Sequence, residues 1–108
     1  MRWTLFALGG LLAAAAAPAG AQEVPADPAN GLALAEQLCR NCHLVRPEQR
    51  GRVPDGVPSF MAVAGRPGVT QSRLEAALIH PPHPMMPNPP LSQQQIRDVA
   101  AYILSLKP

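Results

Sequence analysis

Cys39-Arg40-Asn41-Cys42-His43 is the stretch on which the reading of this 108-residue chain turns. Two thiols separated by two residues, with a histidine directly after the second, make the spacing that attaches a c-type haem. Each thiol can add to one of the two vinyl groups of a single haem, and the adjacent imidazole then lies under the iron. Two other chemistries use a bare dithiol. A redox-active disulfide calls for a surrounding βαβ pattern and gives the trailing histidine no role. A zinc site needs two further ligands, and since the chain has only two cysteines, His80 and His83 would have to supply them.

Upstream of the motif, Asp27-Pro28 reads as an N-cap followed by proline in the first turn. From Ala29 to Leu38 good helix formers dominate, with Leu34, Ala35 and Leu38 on one face. This predicts a helix that delivers the chain into Cys39. Gly31 costs about 1 kcal/mol against alanine in a helix interior, so either the helix is not yet fully formed there or a second helix approaches closely. Farther upstream, Arg2 precedes an apolar run over Leu5 to Ala17, and Ala19-Gly20-Ala21 forms a small-X-small site. Residues 1–21 therefore read as a cleaved secretory signal and 22–108 as one small domain. The apolar run is shorter than the roughly 20 residues of a spanning helix, so an uncleaved anchor is the lesser alternative and no membrane association is expected after cleavage.

Downstream, Leu44 to Pro58 has no apolar period and carries Arg46, Arg50 and Arg52, which predicts a basic loop. A solvated face accounts for this charge more simply than a docking patch for an acidic partner. Ser59 to Ala64 predicts a single helical turn with Phe60 and Val63 inward, ended by Gly65-Arg66-Pro67-Gly68. Thr70 caps a helix to about Ile79, with Leu74, Ala77 and Leu78 on one face. Six prolines between Pro81 and Pro90 exclude helix and central strand. Ser92-Gln93-Gln94-Gln95 is a capping box, and Ile96, Val99, Ala100, Ile103, Leu104 and Leu106 give the helix it starts one broad apolar face.

If His43 supplies one axial ligand, the stiff proline segment supplies the other. A Met/His pair marks electron-transfer haems, whereas an open sixth position favours ligand binding or oxygen chemistry. Met85 and Met86 both lie in that segment; Met86, directly before Pro87-Asn88, is the favoured ligand, Met85 the alternative, and His80 or His83 would give bis-histidine ligation. Without Arg2 the chain keeps eight basic residues against seven acidic ones, a balance that gives no indication of nucleic-acid binding.

Taken in order, Cys39 to His43, Met86-Pro87 and the final Asp98-Val99-Ala100-Ala101-Tyr102-Ile103-Leu104-Ser105-Leu106 resemble a small class I, single-haem cytochrome c of the exported bacterial type, over the whole of residues 22–108. The resemblance implies an all-α fold of three main helices and long loops around one covalently bound haem c. It implies that Gly31 packs against Tyr102, that the Pro58 carbonyl accepts a hydrogen bond from His43, that Phe60 lies against the haem, and that Arg66 reaches a propionate. Ala35 and Val57 depart from the family pattern, which has an aromatic residue and a glycine at those positions. The function expected is a periplasmic one-electron carrier, not an enzyme, that exchanges electrons transiently with a redox protein donor and acceptor. It would act as a monomer or as the cytochrome subunit of a periplasmic oxidoreductase complex; a ligand-binding or peroxidatic haem protein is the third possibility.

Overall fold

The computed structural model describes residues 9–17, 20, 24–79, 83, 85–86 and 90–108. The positive region and most of the cleavage site of the leader, His80, and most of the proline segment including Pro87 lie outside the described residues. Those described form four helices: α1 Pro28–Leu38, α2 Phe60–Ala64, α3 Gln71–Ile79 and α4 Gln93–Ser105, with no strand among them. Three are the main helices expected, α2 is the single turn, and the all-α class stands.

Each start is set by local side-chain chemistry. Asp27 accepts hydrogen bonds from the Ala29 and Asn30 amides at 2.9 and 3.2 Å, and Pro28 occupies the first turn of α1, where its missing N–H costs nothing. Ser59 caps α2 through the Ala62 amide at 3.0 Å. Thr70 Oγ1 accepts from the Arg73 amide at 3.2 Å at the start of α3. Ser92 and Gln95 make the reciprocal capping box of α4, at 3.1 and 2.9 Å.

α4 is the element on which the other three pack, and α1 makes the most extensive contact with it. Gly31 is the crossing point. A β-carbon there would lie 2.9 Å from the Tyr102 β-carbon and 2.5 Å from the Asp98 carbonyl carbon, so only glycine lets the two backbones meet. The tight crossing also positions Asp98, which is 2 % exposed. Its carboxylate accepts from the Asp27 amide at 2.8 Å, the Asn30 side chain at 2.6 Å and the Gln94 side chain at 2.9 Å. Burial alone pushes this carboxyl up, but those three donors and the nearby Arg97 charge together hold it below the usual aspartate range.

Ala35, Phe60, Val99, Ala100 and Ile103 belong to one buried cluster. Val45 joins it from the loop, fully buried, with its carbonyl accepting from the Tyr102 hydroxyl. Burial pushes the Tyr102 phenol up, so it stays protonated and donates. Gln49 closes the same loop, accepting from the Val45 amide at 2.8 Å and donating to the His43 carbonyl at 3.3 Å. Residues 9–17 are exposed and contribute nothing to this core; Leu11 and Leu12 are each 98 % exposed. No helix among the described residues is long and apolar enough to cross a membrane.

Candidate functional site

Where α1 ends, the chain does not leave its axis at once. The Cys39 amide still donates to Ala35, and the Cys42 and His43 amides both donate back to the Cys39 carbonyl at 3.1 and 2.9 Å. This extra turn gathers Cys39, Cys42 and His43 at one wall of a cavity of about 470 Å³. The volume lies in the range of small-molecule and cofactor sites, about 300–1,000 Å³. The opposite wall comes from the apolar face of α3, Leu74, Ala77 and Leu78, and from Val99 and Ile103 of α4. Those faces were legible as helical periodicities; their convergence on a cavity was not.

His43 Nδ1 lies 2.7 Å from the Pro58 carbonyl. A carbonyl only accepts, so Nδ1 carries the proton and Nε2 keeps its lone pair free for a metal. Phe60 packs beside the imidazole with ring centroids 5.3 Å apart, and its own amide donates to Leu44 at 2.9 Å. Pro58, Phe60 and Arg66 all border the cavity, Phe60 buried and Arg66 exposed at its margin. The structure thus brings together every described residue singled out for this site.

Both methionines of the proline segment reach the cavity, but differently. Met85 is 88 % exposed and holds a left-handed backbone, φ 61°, which side chains other than glycine rarely adopt. Met86 is half-buried. His83 also borders the cavity, its ring centroid 6.0 Å from that of His43.

The two cysteines are free thiols. Burial, and to a lesser degree the neighbouring Cys42, pushes the Cys39 thiol up to about 11. A redox dithiol depends on a depressed thiol that attacks as thiolate, so this environment is the reverse of what that chemistry requires. Among the described residues no three His, Cys, Asp or Glu side chains converge as a metal-binding group, and a zinc site lacks its ligand set there. What remains is an apolar cavity with two thiols and one imidazole on a single wall, a donor set suited to a flat macrocycle held through its edge and through its metal. A second, more open groove bordered by Val24, Pro25, Gln71, Glu75 and Arg97 has no thiol, imidazole or thioether.

Leu38 was expected on the inward face of α1, yet it is 39 % exposed and borders the cavity. Its apolar partner is the cavity's occupant, not another helix. Asp98 and Gln49 carried no signal in the sequence: one is a polar residue inside an apolar period, the other stands in a loop without one.

The family model for cytochrome c matches residues 28–107. A cytochrome c-552 of Bradyrhizobium diazoefficiens is 41 % identical over 97 residues, which cover 90 % of this chain and 91 % of that protein. The chain therefore belongs to the cytochrome c family: it is an electron-transfer protein rather than an enzyme, and it carries haem c covalently through Cys39 and Cys42.

Proposed function

We propose that this protein is a periplasmic one-electron carrier in which His43 and Met86 are the axial ligands of a single haem c. One arrangement carries the reading. His43, with Nδ1 committed to the Pro58 carbonyl, offers only Nε2 to the cavity, while the half-buried Met86 stands on the same cavity's border. When bound, the haem supplies a one-electron couple at its iron, and the Met/His pair places that couple in the higher-potential range used for electron transfer.

The chain's own residues do the rest. The Pro58 carbonyl fixes the plane and tautomer of the His43 ring and raises its basicity as a ligand. Phe60, Leu74, Val99 and Ile103 keep water from the cavity and lower its dielectric, which favours the less charged ferrous state. Arg66, exposed at the margin, offers a guanidinium to a propionate. Leu38 and Met85 leave apolar surface at the mouth, where a redox donor or acceptor docks briefly over a small contact. Export rests on the leader, whose described residues take no part in the core.

The test is Met86→Ala in the matured protein. Loss of the sulfur-to-iron charge-transfer band, with a potential lowered by on the order of 0.2 V out of the about 0.8 V that axial ligands span, is the expected result. A band that survives the substitution refutes Met86 and moves the assignment to Met85.

A further inference from the structure

His43 and His83 lie across the same cavity, and their separation carries information. A metal–imidazole bond is about 2.0–2.1 Å long and the ring centroid lies about 1 Å farther, so two imidazoles on opposite sides of one metal have centroids about 6 Å apart. The two rings are 6.0 Å apart with their planes 21° from parallel. That is the span of two ligands sharing a metal, and it exceeds the separation of rings in face contact. His43 has one nitrogen committed to Pro58, which leaves Nε2 as its metal-facing atom.

Three further observations bear on His83. It is exposed, so its ring turns inward without breaking a packed contact. It lies three residues before Met86, and three residues of extended chain span at most about 11 Å, so one ligand can replace the other without disturbing any helix. Met85, between them in sequence, holds a strained left-handed backbone with its side chain in solvent. A segment held in an unfavourable backbone conformation has a second conformation close in energy.

We propose that His83 is a reserve sixth ligand: when the Met86 thioether leaves the iron, the His83 imidazole takes its place and converts a Met/His haem to a bis-histidine one. The inference rests on the Met86 assignment and goes beyond it. The exchange breaks one sulfur–iron dative bond and forms one nitrogen–iron dative bond, with the imidazole neutral, so no electron or proton is gained or lost. Its consequence is a second, lower-potential state of the same protein, reached by loop rearrangement alone.

The test compares ferric holoproteins by electron paramagnetic resonance and near-infrared charge-transfer spectra. Wild type is first required to show the sulfur-to-iron band, which checks the Met86 reading separately. Met85→Ala/Met86→Ala is then expected to lose that band and remain low-spin with bis-histidine signatures, and adding His83→Ala is expected to turn it high-spin. A high-spin double variant overturns the proposal, as does a low-spin signature that survives His83→Ala. If wild type lacks the sulfur band and His83→Ala alone turns it high-spin, His83 is the resident ligand and both readings fall. Should the double variant lose its helical circular dichroism, carboxymethylation of the methionine sulfurs in matured wild type and in His83→Ala gives the same comparison, with the same spin states supporting or overturning the proposal.

Discussion

Gly31→Ala opposes two known effects of opposite sign. In an isolated helix the change stabilises by about 1 kcal/mol, because alanine is the better helix former. In this protein the new β-carbon meets the Asp98 carbonyl carbon at 2.5 Å and the Tyr102 β-carbon at 2.9 Å. Carbon atoms rest at about 3.5 Å or more, so α1 and α4 must separate by about 1 Å. The obstructing atoms belong to the α4 backbone and to the stem of Tyr102, neither of which can turn aside. That movement also stretches the Asp27 amide and Asn30 side-chain bonds to Asp98, now 2.8 and 2.6 Å, beyond good hydrogen-bonding distance. Overpacking of a core costs about 1–3 kcal/mol, and each weakened bond to a buried carboxylate adds to it, up to about 1.5–3 kcal/mol if lost. Against the gain in propensity, the net expectation is a loss of about 3 kcal/mol. Urea unfolding of the ferric holoprotein, followed by far-ultraviolet circular dichroism and haem absorbance together, measures it. Thermal melting would fall by roughly 12–24 °C, at about 4–8 °C per kcal/mol for a domain of this size. A variant as stable as wild type, or more so, would refute the close crossing and leave helix propensity as the larger of the two effects.

Other perturbations have equally definite signs. Because the Asp98 carboxyl is held below its ordinary range in the folded protein, the stability it contributes is complete above the unfolded aspartate value of about 4 and is lost as pH falls through the lower folded value. Asp98→Asn turns an amide donor toward the Asn30 and Gln94 donors, so it should destabilise at pH 7 by about 1–3 kcal/mol. It should also flatten the stability profile below pH 4, as read by urea titrations at stepped pH; an unchanged acid limb would count against the buried carboxylate. Tyr102→Phe removes the donor to the buried Val45 carbonyl and should cost about 1–3 kcal/mol, with faster amide exchange in the loop after His43. Phe60→Ala empties the wall beside His43 and should lose about 3–5 kcal/mol, again by urea unfolding.

Much of the architecture was legible because the relevant physics is local. Asp27-Pro28, Ser59, Thr70 and the Ser92–Gln95 box each set a helix start through bonds spanning two or three residues. The apolar faces of α3 and α4 follow from the 3.6-residue period, and Cys39 to His43 carries its chemistry in five consecutive residues. Gly31 was conspicuous as a residue out of place in a helix, although only the resemblance named Tyr102 as its neighbour.

The remainder depended on approach between distant segments. That Asp98 is buried follows from donors 71 and 68 residues away, and a lone aspartate in an apolar period looks the same whether those donors arrive or not. Gln49 holds the His43 loop through backbone groups that no periodicity points to. Adjacent in sequence and alike in chemistry, Met85 and Met86 are separated only by the backbone turn that leaves one in solvent and the other half-buried. His83 came within 6.0 Å of His43 by the path of a loop whose prolines restrict φ but do not choose a direction. Side-chain spacing along a helix is set by the backbone repeat and can be read one residue at a time. Which loop atom faces a cavity is set by the whole fold at once, through many contacts that are each weak, and so it emerged only when the helices were in place.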